Sequence, residues 1–214
     1  MINKNRAVAK ILLKWHRKNR RIFPWREKRD SYLVLVAEFF LQRTPANRVA
    51  ALLPKFIEEF PSPDKLARAN PSHLEHIYGS LGLKKRMRWL VESMKIVHQK
   101  YGGRIPNKIE DLLLLPGIGE YTASAILCFG FGQSISIVDA NVVRVLTRIF
   151  GLLETHKAPS VAIKKIAREM LPKTQIVDYN EAILDFAALI CKKHPLCDQC
   201  PMNGLCDYYR SNFL

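Results

Sequence analysis

The stretch LLLLPGIGEYTASAI, residues 112–126, decides how the chain is to be read. Its leucines close one apolar helix, Pro116, Gly117 and Gly119 shape a turn, and the residues from Glu120 onward open a second helix. A Pro-Gly-hydrophobic-Gly turn predicts a tight helical hairpin. Glycine lets the backbone come close to a partner, and the first N–H groups of the second helix point outward. Such a turn can hold one or two phosphate oxygens. Taken alone, the motif reads better as an ordinary helix–helix turn; the net charge of +15 and the four-cysteine tail shift the reading to phosphate binding.

Outward from the hairpin, helical spacing dominates and strand-like alternation is rare. Helices are expected near residues 5–19, 31–43, 46–59, 63–69, 71–79, 84–101, 108–115, 120–131, 140–150, 159–171 and 179–191. Pro24 follows the first of them, and Asp64 sits near the start of a short one. YGGRIP at 101–106 and FGQSISI at 131–137 read as breaks, with SISIV at 134–138 an extended linker rather than a strand. The expectation is an all-α chain.

The 214 residues carry 34 basic and 19 acidic side chains, a net charge of +15, which attracts polyanions. A solvated basic surface is the alternative, and nucleic acid the partner expected. No run is apolar enough to cross a bilayer. In the basic opening segment Ala7, Val8, Ile11, Leu12 and Trp15 recur at helical spacing, which predicts an amphipathic helix and not a signal peptide. The expected setting is intracellular, in the cytoplasm or nucleoid.

The tail CKKHPLCDQCPMNGLC places Cys191, Cys197, Cys200 and Cys206 in a C-x5-C-x2-C-x5-C array. Four thiolates this close can wrap one metal centre and leave too little chain for two ordinary disulfides. Structural zinc usually pairs its ligands as two short clips, whereas here one clip is flanked by two longer loops. That spread suits a [4Fe–4S] cluster, with zinc the alternative. Cys128, in an apolar helix, reads as a packed core thiol. Asp139, in SIVDANVVRVLTRIFGL, precedes a helix whose apolar face is Val142, Val143, Leu146 and Ile149. It reads as an N-cap, and the same geometry would aim a carboxylate at a cleft.

In order and spacing, LPGIGEYTASA, VDANVVRV and the cysteine tail resemble the helix-hairpin-helix DNA glycosylase superfamily, in its iron–sulfur branch, over nearly the whole chain. The resemblance implies two helical lobes with the active site in the cleft between them. Residues 27–135 would form the lobe with the hairpin, and residues 1–26 plus 136–214 the lobe with the cluster. It also implies a partner, double-stranded DNA with a mismatched or damaged base, bound by a monomer without a membrane.

The implied catalytic residues are Asp139, Tyr121 and Glu38. Asp139 would stabilise the sugar cation and position water, while Glu38 would give a proton or hydrogen bond to the flipped base. Bifunctional members carry lysine where Tyr121 stands, and tyrosine cannot form their imine. Adenine glycosylases commonly have serine there, and tyrosine resembles the thymine–guanine mismatch branch. The DNA-binding set would be Gln42 as a wedge, Arg43 at the orphan guanine, Lys84, Lys85, Pro116, Gly117 and Gly119.

The expected activity is therefore a monofunctional glycosylase of thymine or uracil opposite guanine, a mismatch-specific hydrolase that leaves an abasic site. One alternative is an adenine glycosylase of A·G or A·8-oxoguanine pairs. LGLKKRMRWL at 81–90 lacks the Gly-Tyr-Tyr signature of that branch, and a chain ending at Leu214 is expected to lack its C-terminal domain. Another alternative is a DNA-binding module with a structural cluster and no catalysis. Five residues separate Cys191 from Cys197, one fewer than is common in the family.

Overall fold

The computed structural model describes residues 2–78, 84–152 and 160–214. Gly79, residues 81–83 and Pro159, which the sequence analysis assigned to helices or motifs, lie outside them. Helices dominate, and among the described residues there is no strand. None of their helices is long and apolar enough to cross a membrane. The chain divides into two compact units, Ile22–Gly132 and a second built from Met1–Arg21 with Gln133–Leu214.

In the unit Ile22–Gly132 the helices are α2 (Pro24–Glu27), α3 (Ser31–Leu41), α4 (Ala46–Glu59), α5 (Pro63–Ala67), α6 (Pro71–Tyr78), α7 (Lys84–Tyr101), α8 (Ile109–Leu113) and α9 (Glu120–Ala125). Local chemistry sets their starts. Asp30 caps α3 by accepting the Leu33 N–H at 2.8 Å, and Ser62 caps α5 ahead of Pro63. Asp64, expected near that start, lies inside the first turn. Proline at the first position also explains α2, which the sequence analysis missed because Pro24 reads as the end of the preceding helix. Phe40, Phe56, Phe60 and Tyr78 form the aromatic centre of this unit, with Phe40 and Phe56 edge to face at 5.0 Å. α9 widens into a π turn over Ile126–Gly130 that packs on α3.

The other unit holds α1 (Ile2–Asn19), α10 (Ala140–Phe150), α11 (Val161–Glu169), α12 (Ile176–Leu189) and α13 (Asp207–Phe213). α12 is its centre: α1 and α10 both pack on it. Val8 and Leu12 meet Leu146, Ile149, Ile183 and Phe186 in a core from which water is excluded, each such side chain contributing about 1.5–3 kcal/mol. In α10 the buried face is Val142, Val145, Leu146 and Ile149, with Val143 only half-buried. Val145 rather than Val143 completes it because positions 142, 145, 146 and 149 recur at i, i+3, i+4 and i+7 on one helix face. The SISIV stretch forms no helix or strand, and a side chain satisfies its backbone in place of a neighbouring strand. Asn180 accepts the Ile137 N–H at 3.0 Å and donates to the Ile135 carbonyl at 2.9 Å.

Two buried carboxylates on α12 anchor the end of α1. Asp185 is fully buried and accepts the Arg21 backbone N–H at 3.0 Å, the Arg21 Nε at 2.6 Å and the His16 Nε2 at 3.2 Å. One turn away, buried Glu181 accepts the Arg20 Nε at 3.1 Å.

Candidate active site and four-cysteine loop

The hairpin forms as expected, and its two glycines differ in kind. Gly117 has φ +81°, and a β-carbon there would stand 2.9 Å from a Phe39 ring carbon and 3.0 Å from Trp89. Gly119 has φ −103° and ψ −179°, with nothing within 4 Å of the same position. Gly117 is thus required by the fold, whereas the space beside Gly119 is open for something outside the chain. Gly117→Ala should therefore lower stability by about 1–3 kcal/mol through strain and overpacking. Gly119→Ala should leave the melting temperature unchanged and weaken duplex DNA binding severalfold. Paired thermal melts and DNA titrations check this, and an equal stability loss in both variants would contradict it.

Interior side chains hold the hairpin carbonyls. Ser93 Oγ donates to the Pro116 carbonyl at 2.9 Å, and Gln42 Nε2 donates to the Gly117 carbonyl at 3.2 Å. The wedge residue expected from sequence is thus docked against the hairpin. The Arg86 guanidinium closes the C-terminal end of α3 by donating to the Gln42 carbonyl and, at 3.5 Å, to that of Phe39. Burial, and then the neighbouring Arg43 guanidinium, push the Arg86 pKa below the usual arginine range.

Arg43 is exposed and held at φ +62°, a left-handed conformation that costs a side-chain-bearing residue about 1–2 kcal/mol. Beside it the Thr44 hydroxyl oxygen is buried with no hydrogen-bond partner. The turn thus sets a strained backbone beside an unmet buried hydroxyl. The sequence analysis missed Thr44, since burial of a threonine after a helix leaves no pattern. Lys84 and Lys85 lie exposed in the first turn of α7, with the Lys85 ammonium 4.7 Å from the centre of the Trp89 ring. Glu38 is buried in α3, one turn before Gln42. Tyr121, in the first turn of α9, is half-buried.

Asp139 lies in the other unit and is the N-cap of α10. Its Oδ1 accepts the Val142 N–H at 2.7 Å and its Oδ2 accepts Asn141 Nδ2 at 2.7 Å. Two donors thus fix the rotation of a half-buried carboxylate. From there a chain of polar contacts continues: Arg144 Nη1 donates to Asn141 Oδ1 at 3.0 Å, Nε to the Cys191 carbonyl at 3.0 Å and Nη2 to the Ala187 carbonyl at 3.1 Å. The cap cradles the aspartate and ties it to the end of α12 in one network. Sequence reasoning did not identify Asn141 and Arg144; their three-residue helical spacing after Asp139 was the available signal.

All five cysteines are free, and Cys128 is fully buried as expected of a core thiol. Cys191, Cys197, Cys200 and Cys206 line one small apolar hollow with Met202, Leu196 and Tyr209. Burial pushes the Cys200 thiol up to about 11, and the other three thiols add to the rise. Burial and then Cys206 raise Cys197, and burial again raises Cys206. Backbone N–H groups of Met202, Tyr208 and Tyr209 oppose this by hydrogen bonding to sulfur. The donor set is thus one that ionises with difficulty alone and is served by a cationic centre. Among the described residues no three His, Cys, Asp or Glu side chains gather as a single metal ion requires. Arg148 braces the loop: it donates to the Lys192 and Lys193 carbonyls at 2.6 and 3.0 Å and lies 5.0 Å from the centre of the Tyr208 ring.

The thymine/uracil-DNA glycosylase of Methanothermobacter thermautotrophicus is 37% identical over 97% of this chain and 96% of its own length. The adenine DNA glycosylase of Buchnera aphidicola is 34% identical over 95% of this chain, which spans only 58% of that relative. The solved structure of a thermostable thymine-DNA glycosylase superposes with a TM-score of 0.90 at 34% identity, covering 98% of each chain. Residues 36–173 match the family model described as HhH-GPD superfamily base excision DNA repair protein, and the chain belongs to that superfamily.

Proposed function

We propose that the chain is a monofunctional DNA glycosylase that hydrolyses the N-glycosidic bond of thymine or uracil mispaired with guanine. Full-length similarity to a thymine/uracil-DNA glycosylase carries the proposal, and Tyr121 sharpens it. A phenol at the mouth of the hairpin has no amine with which to capture the sugar, so the reaction ends at an abasic site. The target base leaves the stack, which a mispaired base does most readily. Glu38 gives a proton or hydrogen bond to the departing base. The Asp139 carboxylate, held by Val142 and Asn141, stabilises the oxocarbenium-like transition state and places the attacking water. Gly119 and its neighbours contact the DNA backbone, and Lys84 and Lys85 add charge. Arg43 reads the O6 and N7 acceptors of the guanine left behind, with Thr44 beside it.

The four-thiol hollow fits an iron–sulfur group, and Cys191, Cys197, Cys200 and Cys206 would hold a [4Fe–4S] cluster. A group wider than one ion suits donors so spaced better than zinc does. When bound, it supplies a structural centre that ties the tail loop to α12. A monomer acting on duplex DNA in the cytoplasm or nucleoid completes the proposal.

Its test is a set of end-labelled duplexes bearing T·G, U·G or A·8-oxoguanine, read with and without alkali. Cutting of the T·G and U·G duplexes only after alkali is expected. Cutting of the adenine strand would favour the adenine branch, to which the Buchnera similarity also points.

A further inference from the structure

The unit that contains α1 carries a hollow lined by none of the residues assigned to base excision. It is an open groove of about 750 Å³ between α1 and the turn that leads from α11 into α12. Its floor is apolar: Ala9, Leu13, Met170, Leu171 and Pro172. Five cations rim it, namely Arg6, Lys10, Lys14, Arg17 and Lys173, all exposed. The single carboxylate there, Glu169, is already engaged by Asn5 Nδ2 at 3.2 Å and by Lys165 at 3.9 Å. The five cations, by contrast, have no ion pair within 4.0 Å among the described residues.

The spacing on α1 is costly to the helix itself. Arg6 and Lys10, Lys10 and Lys14, and Lys14 and Arg17 are like-charged neighbours three or four residues apart, each pair destabilising an isolated helix by about 0.2–0.5 kcal/mol. No acidic residue in the first turn offsets them. External anions set along the row would offset this repulsion. The cations repeat about every 6 Å along α1, the rise of four helical residues, so carboxylates at i and i+4 of a second helix fall in step with them. Charge alone would serve a phosphate backbone as well. The floor decides between them, because a phosphate strand has no apolar face to place on Leu13, Met170 and Leu171, whereas an amphipathic helix does.

We propose that this groove docks an acidic amphipathic helix of a partner protein, its carboxylates on the Arg6–Arg17 row and its apolar face on the Leu13–Leu171 floor. None of the groove's lining residues is assigned to base excision, so docking and turnover are expected to be separable.

The experiment uses the full chain and three labelled probes: an acidic amphipathic peptide of about five turns, a scrambled peptide of the same composition, and duplex DNA. Fluorescence anisotropy should show the amphipathic peptide binding more tightly than its scrambled copy. Lys10→Glu with Lys14→Glu should weaken that binding at least about tenfold, and Leu13→Ser should weaken it severalfold. DNA affinity and glycosylase rate should change less than twofold in both variants, which also reports that they fold. Equal binding of the two peptides overturns the proposal. So does a charge reversal that weakens DNA as much as peptide, which would assign the groove to nucleic acid.

Discussion

Asp139→Asn is expected to reduce the single-turnover rate of base release by roughly 10³-fold or more while leaving the affinity for mismatched duplex within a few fold. The substitution is chosen because asparagine caps a helix as well as aspartate does. Its carbonyl can still accept the Val142 N–H that Oδ1 now accepts at 2.7 Å, so α10 should remain folded. What disappears is the negative charge proposed to stabilise the sugar cation. A smaller loss is built into the network. Asn141 Nδ2 donates to Asp139 Oδ2 and Asn141 Oδ1 accepts from Arg144, so a second amide at position 139 turns one donor against another. That mismatch costs about 1 kcal/mol in stability. Asp139→Ala separates the two effects, since it removes both the cap and the charge. Should Asp139→Asn turn over normally, or lose DNA binding in parallel with rate, the aspartate is a structural cap and no more.

The largest loss of stability is expected from Asp185→Ala. The carboxylate is fully buried and meets three donors on the end of α1. Breaking a buried pair by removing one partner typically costs about 3–5 kcal/mol, because the remaining charge stays desolvated. Here the Arg21 side chain keeps 30% of its exposure and can turn to water, so the lower end, about 3 kcal/mol, is the expected value. For a protein of this size that is a fall in melting temperature of roughly 6–12 °C. Asp185→Asn keeps an acceptor for the Arg21 N–H and should lose less. Denaturant unfolding followed by circular dichroism measures both, and a loss under about 1 kcal/mol for Asp185→Ala would refute the anchoring role.

Much of this was legible in the chain itself, and the exceptions share a cause. The Gly117–Gly119 spacing announced the hairpin, because a left-handed residue between two apolar runs leaves a one-letter trace. Glu38 within an apolar helix announced a buried carboxylate. What the sequence could not show were partners distant along the chain. Nothing near Arg144 indicates that the carbonyl of Cys191 returns to meet it. Nothing near SISIV indicates that Asn180 will satisfy its backbone. Val145, by contrast, was legible, since 142, 145, 146 and 149 recur at i, i+3, i+4 and i+7 on one helix face and 143 does not. The strain at Arg43 was hidden because arginine is not a residue that betrays a positive φ.

A unit assembled from both ends of the chain has a consequence for the order of events during synthesis. α1 emerges from the ribosome well before the helix it packs on, which begins only at Ile176. Its polar ties span 169 residues from His16 to Asp185 and 203 from Lys4 to Asp207. The segment Ile22–Gly132 has its own interior and can fold as soon as it is made. α1 must meanwhile wait, with Val8 and Leu12 uncovered, until α12 has been made. Closing so long a loop is slow, and the waiting helix is the part of the nascent chain most open to aggregation or chaperone capture.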